Sequence, residues 1–142
     1  MKKKIVIGFL IVIVFIQFFR IDKSKPEIKE GNDIISMLKP CKDIQMIIKA
    51  NCYDCHSNEG VYPWYSNIAP ISWFLGHHIE EGSEHLNFSE WGDYNLKKAA
   101  HKLEECYEEM EEDKMPLSIY ELMHGAMSEE DRKKLEEWFK SL

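Results

Sequence analysis

The chain has 142 residues, 18 Lys and Arg against 25 Asp and Glu, and a formal net charge of −7. Its first twenty residues hold four basic side chains and no acid, so the remainder carries a net −11, which excludes nucleic acid as a natural partner and favours a protein partner with a basic docking patch. The length allows one modest domain with additions.

Met1-Lys2-Lys3-Lys4 precedes an uncharged apolar run, Ile5 to Phe19, closed by Arg20. Fifteen helical residues rise about 22 Å, short of the roughly 30 Å of bilayer hydrocarbon, but snorkelling lysine and arginine stems extend the reach. No small-residue cleavage pattern follows. The run therefore predicts an uncleaved N-terminal transmembrane helix over residues 1–21. The amino-terminal lysines place the rest of a single-pass protein outside the bacterial cytoplasmic membrane, on the periplasmic side. Residues 22–39 form a polar linker broken by Pro26, Gly31 and Pro40, with one short helical turn at Asp33 to Leu38.

Residues 40–142 carry the chemistry. Ile44, Ile47 and Ile48 recur at helical spacing and lead into Cys52-Tyr53-Asp54-Cys55-His56. This is the C-x-x-C-H pattern of c-type haem attachment. Two thiols at that gap reach the two vinyl groups of one haem, and the following histidine falls beneath the iron as proximal ligand. At helical spacing Cys52, Cys55 and His56 share a face. A structural zinc site would want a second close ligand pair, and a thioredoxin-like dithiol a β-α-β context; neither accompanies the motif.

The aromatic stretch that follows offers Tyr62, Trp64, Tyr65 and Trp73 as large side chains with polar tips, suited to covering a haem ring or to ordinary core packing. The turns at Tyr62-Pro63 and Ala69-Pro70 are candidates to accept the second nitrogen of His56. Pro70 starts a helix to Glu84 that carries His77 and His78, read as structural histidines. Asp93 or Asn95 caps a long helix to about Asp113, with Leu96, Ala99, Ala100, Leu103, Cys106, Tyr107 and Met110 as its apolar stripe and a glutamate-rich outer face. Pro116 then holds Met115 in a loop. A short helix ends at His124, and Ser128 caps a final helix with Leu135, Trp138, Phe139 and Leu142 on one side. Cys41 and Cys106 are left over, either as a disulfide or as two separate buried thiols; spacing does not choose between them.

Taken together, the C-x-x-C-H-Ser57-Asn58 stretch, Tyr62-Pro63-Trp64-Tyr65-Ser66-Asn67-Ile68-Ala69-Pro70-Ile71-Ser72-Trp73 and Leu86-Asn87-Phe88-Ser89-Glu90-Trp91 resemble the small haem-binding domain family of exported bacterial c-type cytochromes. The resemblance implies an all-α, cytochrome c-like domain around one covalent haem. The Met115-Pro116 step resembles the distal-ligand loop of class I cytochromes c, which implies a methionine thioether opposite His56; His124 matches a recurrent family position and is expected to hydrogen-bond near the haem edge. By the same likeness the closing helix should cross the haem-attachment helix at Ile44, Ile47 and Ile48. The expectation is a membrane-anchored mono-haem cytochrome that carries single electrons between redox partners and is not an enzyme. The alternative is a haem-based sensor or peroxidatic domain with an exchangeable distal site, and a third is a zinc-stabilised interaction module.

Overall fold

In the computed structural model, which describes residues 2–142, the chain is helical throughout with no strand among the described residues. Eight α-helices follow in order: α1 Lys2–Ile16, α2 Ile34–Leu38, α3 Lys42–Asn51, α4 Tyr53–His56, α5 Ile71–His85, α6 Leu96–Glu111, α7 Ser118–His124 and α8 Glu129–Lys140. Two 3₁₀ segments, Trp64–Asn67 and Phe88–Asp93, flank α5. The helix starts are chemically marked. Side-chain oxygens of Asp33, Asn95 and Ser128 accept from the backbone amides of Ile35, Lys98 and Asp131, each satisfying an orphan donor of the first turn.

One core organises residues 34–139. Ile44, Ile47 and Ile48 of α3 meet Leu135 and Phe139 of α8, and Met110 of α6, Tyr53, Phe88 and Trp91 complete the cluster. Helices α3 and α8 thus pack together, as do α6 and α8. Leu135 is fully buried. Leu135→Ala should lower unfolding free energy by about 2–5 kcal/mol, through lost transfer energy and a residual cavity, measurable as a shifted denaturant midpoint at unchanged slope.

The N-terminal expectation requires correction. No helix among the described residues is long and apolar enough to cross a membrane, so neither the transmembrane helix over residues 1–21 nor a single-pass placement is supported. The physical reason lies at the end of the apolar run. α1 stops at Ile16, and the amide of Gln17 turns inward: its Nε2 donates to the carbonyls of Ile13 and Ala69 at 3.0 Å, while Ala69 N donates back to Oε1. Trp73 Nε1 donates to the Phe19 carbonyl at 2.7 Å. Residues 17–19 are therefore spent on contacts with the 65–75 region instead of lengthening the helix.

Part of the 22–39 segment is core, not tether. Ile34 is fully buried. Asp33, besides capping α2, accepts the Tyr53 hydroxyl on both carboxylate oxygens, at 2.9 and 2.8 Å. Gly92 N donates to Asn32 O, and a Cβ at Gly92 would collide with the Asn32 side chain. This docking ties residues 32–38 to the Phe88–Asp93 turn beneath the cysteine motif.

Candidate functional site

The two cysteines sit where α3 gives way to α4. Cys52 leaves helical geometry at φ −120°, ψ −36°, yet its amide still bonds to Ile48 O, and its carbonyl receives the amides of Cys55 and His56. The helical path thus runs through the motif with one kink, and Ser57, extended at φ −151°, ends it. Tyr53, pointing away from the thiols, is buried and stacked on Phe88 at 5.8 Å, which locks the turn to the core.

Cys52, Cys55 and His56 line one cleft of about 720 Å³, a volume within the roughly 300–1,000 Å³ usual for cofactor sites. Met115, Pro116 and Leu117 line it from the segment between α6 and α7 and Tyr120 from α7, with Met110, Met127 and the α5 residues His78, Glu81 and His85. Two further cavities share these walls. One, of about 240 Å³, extends past Cys106 to Phe139; the other, of about 470 Å³, extends past Cys55 to Tyr65 and Phe74.

The imidazole of His56 is held firmly. Its Nδ1 lies 2.9 Å from the Gly82 carbonyl and 3.1 Å from that of Leu86, so Nδ1 carries the proton and Nε2 keeps its lone pair. Burial holds the ring below the usual histidine range, against the raising effect of the two carbonyls, and keeps it neutral. The acceptors differ from those expected. The turns at Tyr62-Pro63 and Ala69-Pro70 do not supply them; Pro63 O receives Ser66, Ala69 O receives Gln17, and Pro70 O receives the amides of Trp73 and Phe74. The last turn of α5 supplies them instead, although Gly82 O also accepts the Leu86 amide, and the missing side chain at Gly82 lets it come close: a Cβ there would lie 3.3 Å from Cys55 O and 3.4 Å from the His56 ring.

Burial pushes the Cys52 thiol up to about 12, and burial with the neighbouring Asp54 charge pushes the Cys55 thiol up to about 11. Both remain protonated near neutral pH, a poor state for thiolate coordination of a metal ion and one that resists stray oxidation. Among the described residues no group of three or more His, Cys, Asp or Glu side chains is placed to hold a metal ion. The remaining cysteines are not bridged: Cys41 is exposed at the start of α3, so it is not a buried thiol either, and Cys106, whose thiol burial also pushes up, shares a cavity with Cys52.

The aromatic candidates divide. Tyr65 lines the cavity beside Cys55, and its hydroxyl lies 2.6 Å from His124 Nε2. His124 itself stays outside the cleft, exposed, with its ring stacked on Tyr120 at 4.3 Å. Tyr62 faces a separate polar cavity with Asn58 and Asn87 on its walls; Trp64 is 73% exposed, and Trp73 lies against Phe19. Tyr120, read from the sequence only as part of a short helix, closes the cleft: its hydroxyl donates to Asp54 Oδ2 at 3.0 Å and Ala50 O at 3.1 Å. Burial and then the Asp54 charge push its phenol up, so it remains a donor.

Two half-buried thiols, a neutral imidazole with one nitrogen already engaged, and adjoining cavities with methionine, leucine, proline and aromatic side chains on their walls suit a haem. The profile of the haem-binding domain family matches residues 11–141. The chain belongs to the haem-binding domain family. No curated protein and no solved structure matches it significantly. In this haem-binding protein the family match covers the whole cleft, from the cysteine motif through α8.

Proposed function

We propose that this haem-binding protein is a mono-haem c-type cytochrome that carries single electrons between redox partners and is not an enzyme. Cys52 and Cys55 hold the haem through thioethers, His56 is the proximal iron ligand and Met115 the distal one. Haem bound this way supplies a one-electron iron couple. The observation that carries the reading is His56: a half-buried neutral imidazole, fixed through Nδ1 by two carbonyls, beside two thiols and in the same cleft as Met115.

The chain's own residues account for the rest. The Gly82 and Leu86 carbonyls orient the imidazole and strengthen its donation through Nε2. The soft thioether of Met115 favours ferrous iron and a raised potential, which suits a carrier. Tyr120 and Tyr65 shield the Cys55 side from water. Exposed carboxylates on α6, among them Glu104, Glu108 and Glu111, favour a redox partner with a basic docking patch.

The test is the ferric absorption spectrum of the full chain produced with haem-maturation machinery. A Soret band with a weak methionine-to-iron charge-transfer band is expected, and Met115→Ala should abolish the second while keeping the first. A high-spin ferric pattern in the unaltered protein, with rapid carbon monoxide binding to its ferrous form, would replace this reading with a haem-based sensor or peroxidatic domain.

A further inference from the structure

Arg132, on α8, is far in sequence from the cysteine motif, and its side chain is only 13% exposed. Its NH1 donates to Met110 O at 3.0 Å and to Met115 O at 3.1 Å. These carbonyls stand at the two ends of one turn. α6 closes with Asp113 in the left-handed region (φ 55°), Lys114 N donating to Glu109 O and Asp113 N to Met110 O, the paired bonds of a Schellman cap. Met115 N also donates to Glu109 O. The cap fixes the amide side of Met115, and Arg132 holds its carbonyl side. Two carboxylates hold Arg132 in turn: Asp113 Oδ1 at 3.5 Å from NH1 and Glu121 Oε1 at 3.8 Å from NH2, with Glu121 also receiving the Met127 amide.

We propose that Arg132 is a positioning residue that clamps the Met115 loop and sets how readily the distal side opens to an exogenous ligand. The inference rests on Met115 as the distal ligand. It follows from chemistry that lysine does not reproduce, since a guanidinium presents several donors in a fixed plane whereas an ammonium is a point charge on a flexible stem. With the clamp in place, the backbone on both sides of Met115 has no freedom to swing the thioether away. Without it, Met110 O keeps its bond from Asp113 N, but the Met115 carbonyl loses the bond from Arg132 and the loop is held from one side alone.

The experiment titrates imidazole into ferric holoprotein of the full chain, following the Soret band and the methionine-to-iron band. Arg132→Met and Arg132→Lys should each bind imidazole at least threefold more tightly than the unaltered protein, the first more than the second, with a weakened methionine band and unchanged far-ultraviolet circular dichroism. Leu135→Ala, which loosens the core without touching the loop, should change the affinity less than threefold. Changes below threefold in both Arg132 variants would overturn the clamp, as would an equal tightening in Leu135→Ala; should Arg132→Met not accumulate folded, Arg132→Lys decides on the same threshold. Met115→Ala, measured in parallel, separates the two levels. If it leaves band and affinity unaltered, the distal assignment fails; if it tightens imidazole while the Arg132 variants do not, only the clamp fails.

Discussion

Replacing both Cys52 and Cys55 by alanine should abolish covalent haem retention: denaturing gels stained for haem peroxidase activity should lose the band that the unaltered protein shows, and intact mass should fall by one haem beyond the two side-chain changes. The single variants should each keep a weaker stain, because one thiol still reaches one vinyl group. The expectation follows from the cleft, where both thiols are half-buried, protonated and on the same wall as His56. A double variant that still carried haem through denaturation would show that attachment lies elsewhere, with Cys106, on the wall of the adjoining cavity, as the first candidate. An intact mass showing more than one haem would contradict the single-haem proposal.

The second large effect should come from Gly82→Val. A Cβ at this position already lies 3.3–3.4 Å from Cys55 and His56, tighter than ordinary contact, and valine adds two methyl groups beyond it. In a helix valine has one strongly preferred side-chain rotamer, so the clash is not relieved by rotation. The last turn of α5 must back away, taking the Gly82 and Leu86 carbonyls from His56 Nδ1. Losing outer-shell partners of a metal-bound histidine commonly costs about 10–100-fold in affinity or activity. In the holoprotein the expected readouts are a raised reduction potential, because an imidazole without its carbonyl partners donates less strongly to iron, and a mixed-spin ferric spectrum. Gly82→Ala, with only the Cβ, should show a fraction of the same change. A Gly82→Val protein with a native spectrum and potential would mean that the α5 carbonyls do not orient His56.

Much of this protein was legible without coordinates because its signals are local. The cysteine-histidine motif depends on a five-residue spacing, and the structure brings those three side chains and Met115 into one cleft. Asp33, Asn95 and Ser128 announce helix starts through bonds that span two or three residues. Leu135, Trp138 and Phe139 of the α8 stripe pack on the core while Leu142 lies past the helix end and is exposed, and the meeting with α3 follows from two faces that each need covering. The stripe of α6 was only partly right, since Leu96 is 91% exposed while Lys102 is buried against Glu105. Periodicity cannot foresee that the first turn of a helix runs past the edge of the core.

What tertiary structure alone decided are contacts whose partners carry no mark in the sequence. A backbone carbonyl looks the same at every residue, so the choice of Gly82 and Leu86 over the proline turns depended on which helix end the fold brings against the His56 ring. Arg132 reads as one charge among many on a polar helix until folding sets it against Met110 and Met115. The apolar run at the start has the composition of a membrane helix, but Gln17 and Phe19 bond to Ala69 and Trp73 more than fifty residues away, and the helix ends short of a span. By itself the sequence determined which chemical groups stand at the site and which segments are helical, because those properties reside in neighbouring residues. The fold determined which nitrogen is free, which loop is held and where the first helix stops, because each of these is a competition among distant groups for one hydrogen-bonding partner.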